Sequence, residues 1–222
     1  MGLEVEILPD GEAVAERSAE FIAEEARAAI EDRGRFALAV SGGHTPWVMF
    51  PHLAGKVAWE KVTIFQVDER VAPEGDPDRN LTHLLTTLPP GGAADVRPMP
   101  VERHDLETAA DDYARSLPEV FDLVHLGLGP DGHTASLVPG DPVLEVMDRA
   151  VALTGEYQGR QRMTLTYPVL NGARRILWIV TGEDKVDALR LLRAGDQTIP
   201  GGRISTENAV LIADAAATGE ST

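Results

Sequence analysis

Cysteine is absent from the 222 residues, which excludes disulfides, thiolate metal sites and cysteine nucleophiles together. Long apolar runs are absent as well, since none approaches the roughly 18 residues that a membrane-spanning helix needs. The first residues contain no basic region followed by an apolar segment, so no signal peptide is predicted. We therefore expect a cytoplasmic protein with no membrane partner.

Positive charge is scarce, because 20 lysines and arginines stand against 36 acidic residues and give a formal net charge of −16. A nucleic-acid partner requires a basic face toward the phosphate backbone, so we expect no nucleic-acid binding. The charge is unevenly distributed: residues 1–32 are rich in acids, whereas residues 150–203 contain more bases than acids. Such a basic segment could hold a small anion, although solvated helix faces account for most charges of this kind.

Strands and helices alternate along the chain, and the hydrophobic content of 43% is sufficient for a full core. Parallel strands that are covered on both faces read as short apolar runs, which predicts an α/β fold with a mostly parallel sheet. We predict a single domain over residues 1–222. Strands are predicted at residues 3–8, 36–40, 62–67, 96–101, 121–126, 150–153, 163–166, 176–180 and 210–213, with a break in the chain at 89–92.

The helices are marked by their capping residues. They are predicted at residues 11–33, 46–53, 81–88, 106–117 and 182–193. The side chains expected to cap the N-termini of four of these helices are Asp10, Thr45, Asn80 and Thr181. Gly34 suits the left-handed conformation that ends a helix, so the first helix is expected to stop there. The residues from 215 onward are small and polar and are expected to fray.

Residues 127–136, GLGPDGHTAS, follow the predicted buried strand 121–126. Ligands of open α/β sheets bind beyond the carboxyl ends of the strands, so Asp131 and His133 lie where such proteins do chemistry. The segment also matches G-x-G-x-x-G, but a dinucleotide site requires a helix directly after this pattern. Breaker residues at positions 139, 140 and 142 disfavour such a helix, and therefore disfavour nucleotide binding. A glycine turn with a surface histidine remains the structural alternative.

Residues 41–46, SGGHTP, join a predicted strand to a predicted helix. Two glycines at such a junction let several backbone N–H groups point at one spot, where the helix dipole favours an anion. The segment is not a nucleoside-triphosphate loop, because no G-K-[ST] follows it. An anion site and a plain turn both remain open.

Charged side chains occupy two further positions of interest. Asp68, Glu69 and Arg70 directly follow a predicted strand, where either solvation or catalysis explains them. The loop at residues 71–79 is long enough to close over a site. Lys185 lies in the first turn of a predicted helix, where the dipole disfavours a cation unless it is exposed or faces a bound phosphate.

Four segments, taken in this order, resemble one known family. They are residues 41–46, residues 68–70 with Asn80, residues 127–136, and residues 162–166 followed by 181–185. Together they make the chain similar to the 6-phosphogluconolactonases over essentially its whole length. The resemblance implies a Rossmann-like α/β fold whose mostly parallel sheet has helices on both faces. The wider superfamily includes glucosamine-6-phosphate deaminases and ribose-5-phosphate isomerases, which also handle small sugar phosphates.

The deaminase branch differs from this chain at an informative position. Its motif runs D-G-H-x-A-x-N-E, and the glutamate supports the histidine, whereas this chain has Leu137 and Val138 there. Because valine cannot orient an imidazole, the resemblance favours the lactonase branch. His44 departs from the family pattern, which more often has serine or threonine, so the resemblance defines no side-chain role at this position.

The resemblance implies hydrolysis of 6-phospho-D-glucono-1,5-lactone to 6-phosphogluconate, a step of the oxidative pentose phosphate pathway. His133 would be the general base that activates water, because imidazole is the side chain that titrates near neutral pH. Either Asp131 or Asp68 would orient the ring, and Arg70 would stabilise the developing oxyanion or a substrate hydroxyl. The residues expected to bind the substrate or its phosphate are Ser41, Gly42, Gly43, His44, Thr45, Asn80, Gly129, Arg162 and Lys185.

No metal and no other cofactor is expected, since the six histidines show no H-E-x-x-H or H-x-H spacing. His125, on a predicted buried strand, is expected to be a hydrogen-bonded core residue. The expected partner is a small phosphorylated sugar lactone, bound by a monomer or a weak homo-oligomer. Two alternatives stay open: another sugar-phosphate enzyme, either an isomerase or a deaminase, and a non-catalytic sugar-phosphate sensor.

Overall fold

The computed structural model of the chain describes residues 2–89 and 95–219. Most of the predicted break at 89–92 lies outside the described residues. The strands within them are β1 (Glu4–Leu8), β2 (Phe36–Val40), β3 (Val62–Gln66), β4 (Asp68–Arg70), β5 (Asp95–Arg97), β6 (Leu123–Leu126), β7 (Val151–Leu153), β8 (Arg162–Leu165), β9 (Arg175–Val180) and β10 (Ala209–Asp214).

The helices occupy the segments between these strands. The α-helices are α1 (Gly11–Arg33), α2 (His44–Met49), α3 (Asn80–Thr87), α4 (Leu106–Ser116), α5 (Tyr167–Asn171), α6 (Val186–Arg193) and α7 (Ala215–Thr218). Short 3-10 helices are found at Phe50–Leu53, Trp59–Lys61, Pro142–Glu145, Glu183–Lys185 and Pro200–Arg203. In the described part of the chain, no helix combines the length and apolar character needed to cross a membrane.

Seven strands form one sheet in the order β1-β10-β9-β6-β2-β3-β5, and every neighbouring pair in it is parallel. Strand β2 lies near the middle, and all five of its residues are buried. Its alternate side chains belong to two different apolar clusters, Ala37 and Ala39 to one and Leu38 and Val40 to the other. Helix α1 packs in the second cluster and α4 in the first, so helices cover both faces. The predicted α/β, Rossmann-like fold is confirmed.

A second, antiparallel sheet of three strands, β4-β8-β7, lies outside this parallel sheet. The pattern of charges at residues 68–70 did not predict a strand, because these residues are polar. Asp68 and Glu69 are nevertheless buried, and they pair with Thr164 and Met163 of β8. This small sheet therefore continues directly from β3 and carries charged side chains toward the carboxyl edge of the large one.

The first helix begins and ends as its capping residues predict. The Asp10 carboxylate accepts a hydrogen bond from the Ala13 N–H at 2.9 Å, which satisfies an N–H that would otherwise have no partner in the first turn. Gly34 follows the last turn with φ of 74°, a left-handed conformation that costs glycine little.

Two threonines do not have their predicted capping roles. Helix α2 begins at His44, with Gly43 at its N-cap, so Thr45 lies inside the helix. The hydroxyl of Thr45 is instead 2.9 Å from that of Thr181, and the two satisfy each other. Gly182, not Thr181, precedes the turn Glu183–Lys185, and its N–H donates to the Asp214 carboxylate at 3.0 Å.

The prediction for His125 is right about the core and wrong about the hydrogen bond, and the prediction of fraying is wrong for residues 215–218. His125 is fully buried on β6, yet neither ring nitrogen has a hydrogen-bond partner among the described residues. Burial lowers its pKa to about 3, so it is a neutral core residue. The residues after Asp214 do not fray at once: they form α7, because the Asp214 carboxylate accepts a hydrogen bond from the Ala217 N–H at 2.8 Å.

Candidate active site

A cavity of about 420 Å³ opens at the carboxyl edge of the large sheet. It is lined by residues that directly follow four neighbouring strands, Ser41 after β2, Gly127 after β6, Thr181 after β9 and Asp68 shortly after β3. Since parallel strands deliver their ends to the same edge, segments that are distant in sequence meet here.

Asp131 and His133 form a hydrogen-bonded pair at this cavity. The Asp131 Oδ1 atom lies 2.5 Å from the His133 Nδ1 atom and also accepts the His133 backbone N–H at 3.1 Å. Burial opposes ionisation of Asp131, but the charge of His133 and its hydrogen bonds lower the Asp131 pKa below its ordinary value. An ionised carboxylate can only accept, so Nδ1 is the donor, and in the neutral form of the imidazole the lone pair lies on Nε2. His133 lines the cavity and can therefore act as a base there.

Close backbone packing fixes the position of this imidazole. The Gly129 N–H donates to the His133 carbonyl at 2.8 Å, and the Gly132 N–H donates to the Gly129 carbonyl at 2.9 Å. Gly132 has φ of 81°, which closes the turn. A Cβ atom at residue 129 would lie 2.0 Å from His133 Nδ1 and 2.7 Å from Asp131 Oδ1. Glycine at 129 thus leaves the space in which the pair forms.

Substitution of Gly129 by alanine is therefore expected to displace the imidazole and to break its hydrogen bond to Asp131. A catalytic group displaced by about 1 Å can cost on the order of 100-fold in rate. We expect Gly129→Ala to lose turnover by about this factor, while circular dichroism reports a folded protein and a phosphorylated ligand still binds. Turnover close to that of the unsubstituted protein would contradict the role given to this contact.

Asn80 contacts two segments of the cavity wall, strand β4 and the glycines that follow β2. Its side-chain Oδ1 accepts a hydrogen bond from Arg70 Nη1 at 2.8 Å, and its Nδ2 donates to the Asp68 carbonyl at 3.0 Å. A Cβ atom on Gly42 would lie 1.9 Å from Asn80 Oδ1, so residue 42 must lack a side chain for the amide to fit. Arg70 also donates to the Asp78 carbonyl at 2.9 Å, which holds its guanidinium at the cavity wall.

Because helix α3 begins at Asn80, the predicted capping role of this residue is wrong. Glu69 performs it instead: its Oε1 accepts the N–H of Asn80, and its Oε2 accepts the N–H of Leu81, each at 2.8 Å. Glu69 is fully buried and has Arg79 Nε at 3.5 Å as an ionic partner. Because Glu69 caps the helix, the Asn80 side-chain amide is available to contact Arg70 and Asp68 at the cavity.

Asp68 is hydrogen-bonded to Ser136, at the end of the loop 127–136, and not to His133. Its Oδ2 atom accepts a hydrogen bond from Ser136 Oγ at 2.6 Å, and both residues are buried. Sequence alone left open whether Asp68 or Asp131 contacts the imidazole, and the hydrogen bond to His133 is made by Asp131. Asp68 instead ties the loop 127–136 to strand β4.

Three side chains that line the cavity can donate hydrogen bonds to an anion. Ser41 Oγ and Arg162 Nε are buried and have no hydrogen-bond partner among the described residues. Burial lowers the pKa of Arg162, although nearby Asp68 acts in the opposite direction. Lys185 also lines the cavity, where its Nζ atom lies 2.8 Å from the Asp184 carboxylate. Buried donors without partners are costly, and a bound phosphate would satisfy them.

The structure brings the sequence-predicted site residues to one place. Those that line the cavity are Ser41, Gly42, Gly43, Thr45, Asp68, Arg70, Asn80, Gly129, His133, Arg162 and Lys185. Asp131 contacts the cavity through His133, and His44 begins the helix that follows the double glycine. Sequence reasoning missed Glu69 as an anchor and missed Tyr157, whose hydroxyl donates to Asp131 Oδ2 at 3.1 Å.

Comparison with known proteins adds independent findings. The family model described as glucosamine-6-phosphate isomerases/6-phosphogluconolactonase matches residues 9–212. A 6-phosphogluconolactonase of Nostoc is 33% identical over 237 residues, which covers 97% of this chain and 97% of the relative. One of Synechocystis is 36% identical over 205 residues, covering 85% and 84%. The crystal structure of 6-phosphogluconolactonase from Thermotoga maritima superposes with a TM-score of 0.84 at 25% identity, covering 96% of this chain and 99% of that one.

Proposed function

The chain belongs to the glucosamine-6-phosphate isomerase and 6-phosphogluconolactonase family, and we propose that its cavity hydrolyses 6-phospho-D-glucono-1,5-lactone to 6-phosphogluconate. The protein is a carboxylic ester hydrolase, and this reaction belongs to the oxidative pentose phosphate pathway. One observation carries the proposal: the same cavity is lined by an oriented histidine and by the donor side chains of Ser41, Arg162 and Lys185.

The hydrolysis begins with a water molecule that loses a proton to His133 Nε2 as its oxygen attacks the lactone carbonyl carbon. The Asp131 carboxylate, hydrogen-bonded to Nδ1, stabilises the imidazolium that forms. As the ester bond breaks, the imidazolium returns the proton to the departing ring oxygen. Water is thereby divided between the new carboxyl group and the new hydroxyl, and His133 is neutral again.

Arg70 is assigned to the negative charge that develops on the carbonyl oxygen. Its Nη1 group is committed to Asn80 and to the Asp78 carbonyl, so the guanidinium has a fixed direction before substrate binds. A guanidinium has five N–H donors, and those not used by these contacts remain for the oxyanion. Preorganised donors of this kind stabilise the transition state more than the ground state.

The phosphate group of the substrate is assigned to Ser41, Arg162 and Lys185. The first two have buried donors without protein partners, and Lys185 adds a cation on the same cavity wall. Charge-assisted hydrogen bonds from these groups would hold the phosphate while the lactone carbonyl faces His133. Each role in the reaction is thus assigned to a side chain. We also propose that the protein is a single domain and acts in the cytoplasm as a monomer or weak homo-oligomer.

The residues that follow His133 in the sequence favour lactone hydrolysis over deamination. In the deaminase motif a glutamate supports the histidine, whereas here the matching Val138 and its neighbour Leu137 are buried in the apolar cluster. Neither can accept a hydrogen bond from an imidazole. The partner of His133 is Asp131, which precedes it by two residues.

A comparison of two substrates tests the proposal. The phosphorylated lactone is expected to have a kcat/KM at least about 100-fold above that of the unphosphorylated lactone, because each hydrogen bond to a charged group contributes about 1.5–3 kcal/mol. Rates are corrected for spontaneous hydrolysis. Equal values for the two lactones would contradict the phosphate assignment. Ammonia release from glucosamine-6-phosphate would favour a deaminase, and ligand binding without turnover would favour a sensor.

A further inference from the structure

The turn between β7 and β8 brings a tyrosine against the Asp131–His133 pair. Tyr157 and Arg160 form an isolated antiparallel bridge, and the two residues between them, Gln158 and Gly159, have φ of 54° and 76°. Left-handed conformations at both central residues make a tight two-residue reversal. The position of the tyrosine is therefore set by a short turn on a strand pair.

Tyr157 and His133 bind opposite oxygens of one carboxylate. The tyrosine hydroxyl donates to Asp131 Oδ2 at 3.1 Å, while the imidazole Nδ1 atom lies 2.5 Å from Oδ1. The phenol ring also meets the imidazole edge-on, with centroids 5.5 Å apart and planes inclined by 65°. The guanidinium carbon of Arg162 lies over the Tyr157 ring, 5.0 Å from its centroid. Tyr157 thus contacts the proposed base His133, the carboxylate of Asp131 that orients this base, and Arg162, which is proposed to bind the phosphate.

We propose that Tyr157 is a positioning residue for the hydrolysis, which fixes the Asp131 carboxylate from the side opposite His133 and thereby fixes the imidazole. This inference rests on the proposed function. The Asp131 side chain is 36% exposed, so water competes for Oδ2, and both hydrogen bonds from His133 are made to Oδ1. The phenol occupies Oδ2. Burial and the Asp131 charge raise the pKa of Tyr157 above its ordinary value, so the hydroxyl stays protonated as a donor.

Tyr157→Phe isolates this hydrogen bond, because it keeps the ring beside His133 and under Arg162. We expect kcat to fall about tenfold, the effect of losing one partly exposed hydrogen bond to a charged group, with KM changed less than about twofold. Glu156→Gln is the matched control: Glu156 is an exposed neighbour in the same turn, and its substitution should leave both constants unchanged.

A double-mutant cycle tests whether the tyrosine acts through Asp131. In an Asp131→Asn background, Tyr157→Phe should cause little further loss, because the group it positions is already altered. Losses that multiply, or a Tyr157→Phe variant with the kcat of the unsubstituted protein, would overturn the proposal. A rise in KM with unchanged kcat would also overturn it, since that pattern describes a substrate contact.

A measurement that does not depend on turnover separates this inference from the function. In nitrogen-15 NMR spectra, the His133 Nδ1–H signal should be protected from exchange with water in the unsubstituted protein and lose that protection in Tyr157→Phe. Unchanged protection would overturn the positioning role even if lactone hydrolysis is observed. Lost protection in a protein that does not hydrolyse the lactone would uphold the contact and overturn the proposed function.

Discussion

Replacement of His133 by alanine is expected to lower kcat for 6-phosphogluconolactone by about 10²–10⁴-fold, the usual contribution of a general base. The reason is that Nδ1 donates to Asp131, so in the neutral imidazole Nε2 carries the lone pair that accepts the proton of water. The phosphate ligands lie on other segments, so the variant should still bind 6-phosphogluconate. Initial rates and calorimetric titration of the product measure the two effects separately.

His104→Ala is the control for this substitution. His104 is exposed in the loop before α4, and no hydrogen bond or ion pair joins it to another described residue. It should retain full activity. Hydrolysis by His133→Ala at the rate of the unsubstituted protein would reject the base assignment, and a parallel loss of product binding would show that the substitution had damaged the cavity instead.

Replacement of Arg70 by alanine is expected to lower kcat by about 10²–10³-fold, as the removal of a single oxyanion donor does in other enzymes. Arg70 is held toward the cavity by Asn80 and the Asp78 carbonyl, so its donors require no reorganisation when charge develops. Arg70→Lys keeps the charge but not the planar fork, and it should recover only part of the lost rate.

The matched control is Arg35→Ala, because Arg35 is exposed between α1 and β2 and its side chain makes no hydrogen bond or ion pair with the other described residues. Its loss should leave kcat unchanged. If Arg70→Ala raised KM alone, the guanidinium would be a ground-state ligand of the substrate, and the oxyanion role would be wrong.

The elements of the large sheet could be predicted from sequence because their signals are local. Short apolar runs such as β2 are buried on both faces, and this burial is what produces the continuous hydrophobic pattern. The capping of α1 by Asp10 and its end at Gly34 likewise depend on neighbouring residues alone. The meeting of the site loops followed from the rule that parallel strands end at one edge.

The capping of α3 could not be predicted in this way. Asn80 has the side chain of a good N-cap, but the helix begins one residue earlier, and Glu69 takes the capping role from eleven positions away. This carboxylate belongs to β4, a strand with no apolar pattern because its side chains are satisfied by buried hydrogen bonds. A long-range polar contact of this kind leaves no periodic signal in the sequence.

Tyr157 was missed for a related reason. It lies in a turn of exposed and half-exposed residues, where an aromatic side chain has no pattern that distinguishes function from packing. Its contact with Asp131 depends on the pairing of β7 with β8 and on the left-handed turn at Gln158. The capping roles predicted for Thr45 and Thr181 were wrong for the same reason, because the two hydroxyls form a hydrogen bond with each other between segments that are distant in sequence.

A crystal structure with 6-phosphogluconate bound tests the central claim most directly. We predict that the phosphate contacts Ser41, Arg162 and Lys185, and that the carboxylate produced from the lactone lies within hydrogen-bond distance of His133 Nε2 and the Arg70 guanidinium. A phosphate bound against His133, or a product bound outside the cavity, would contradict the account.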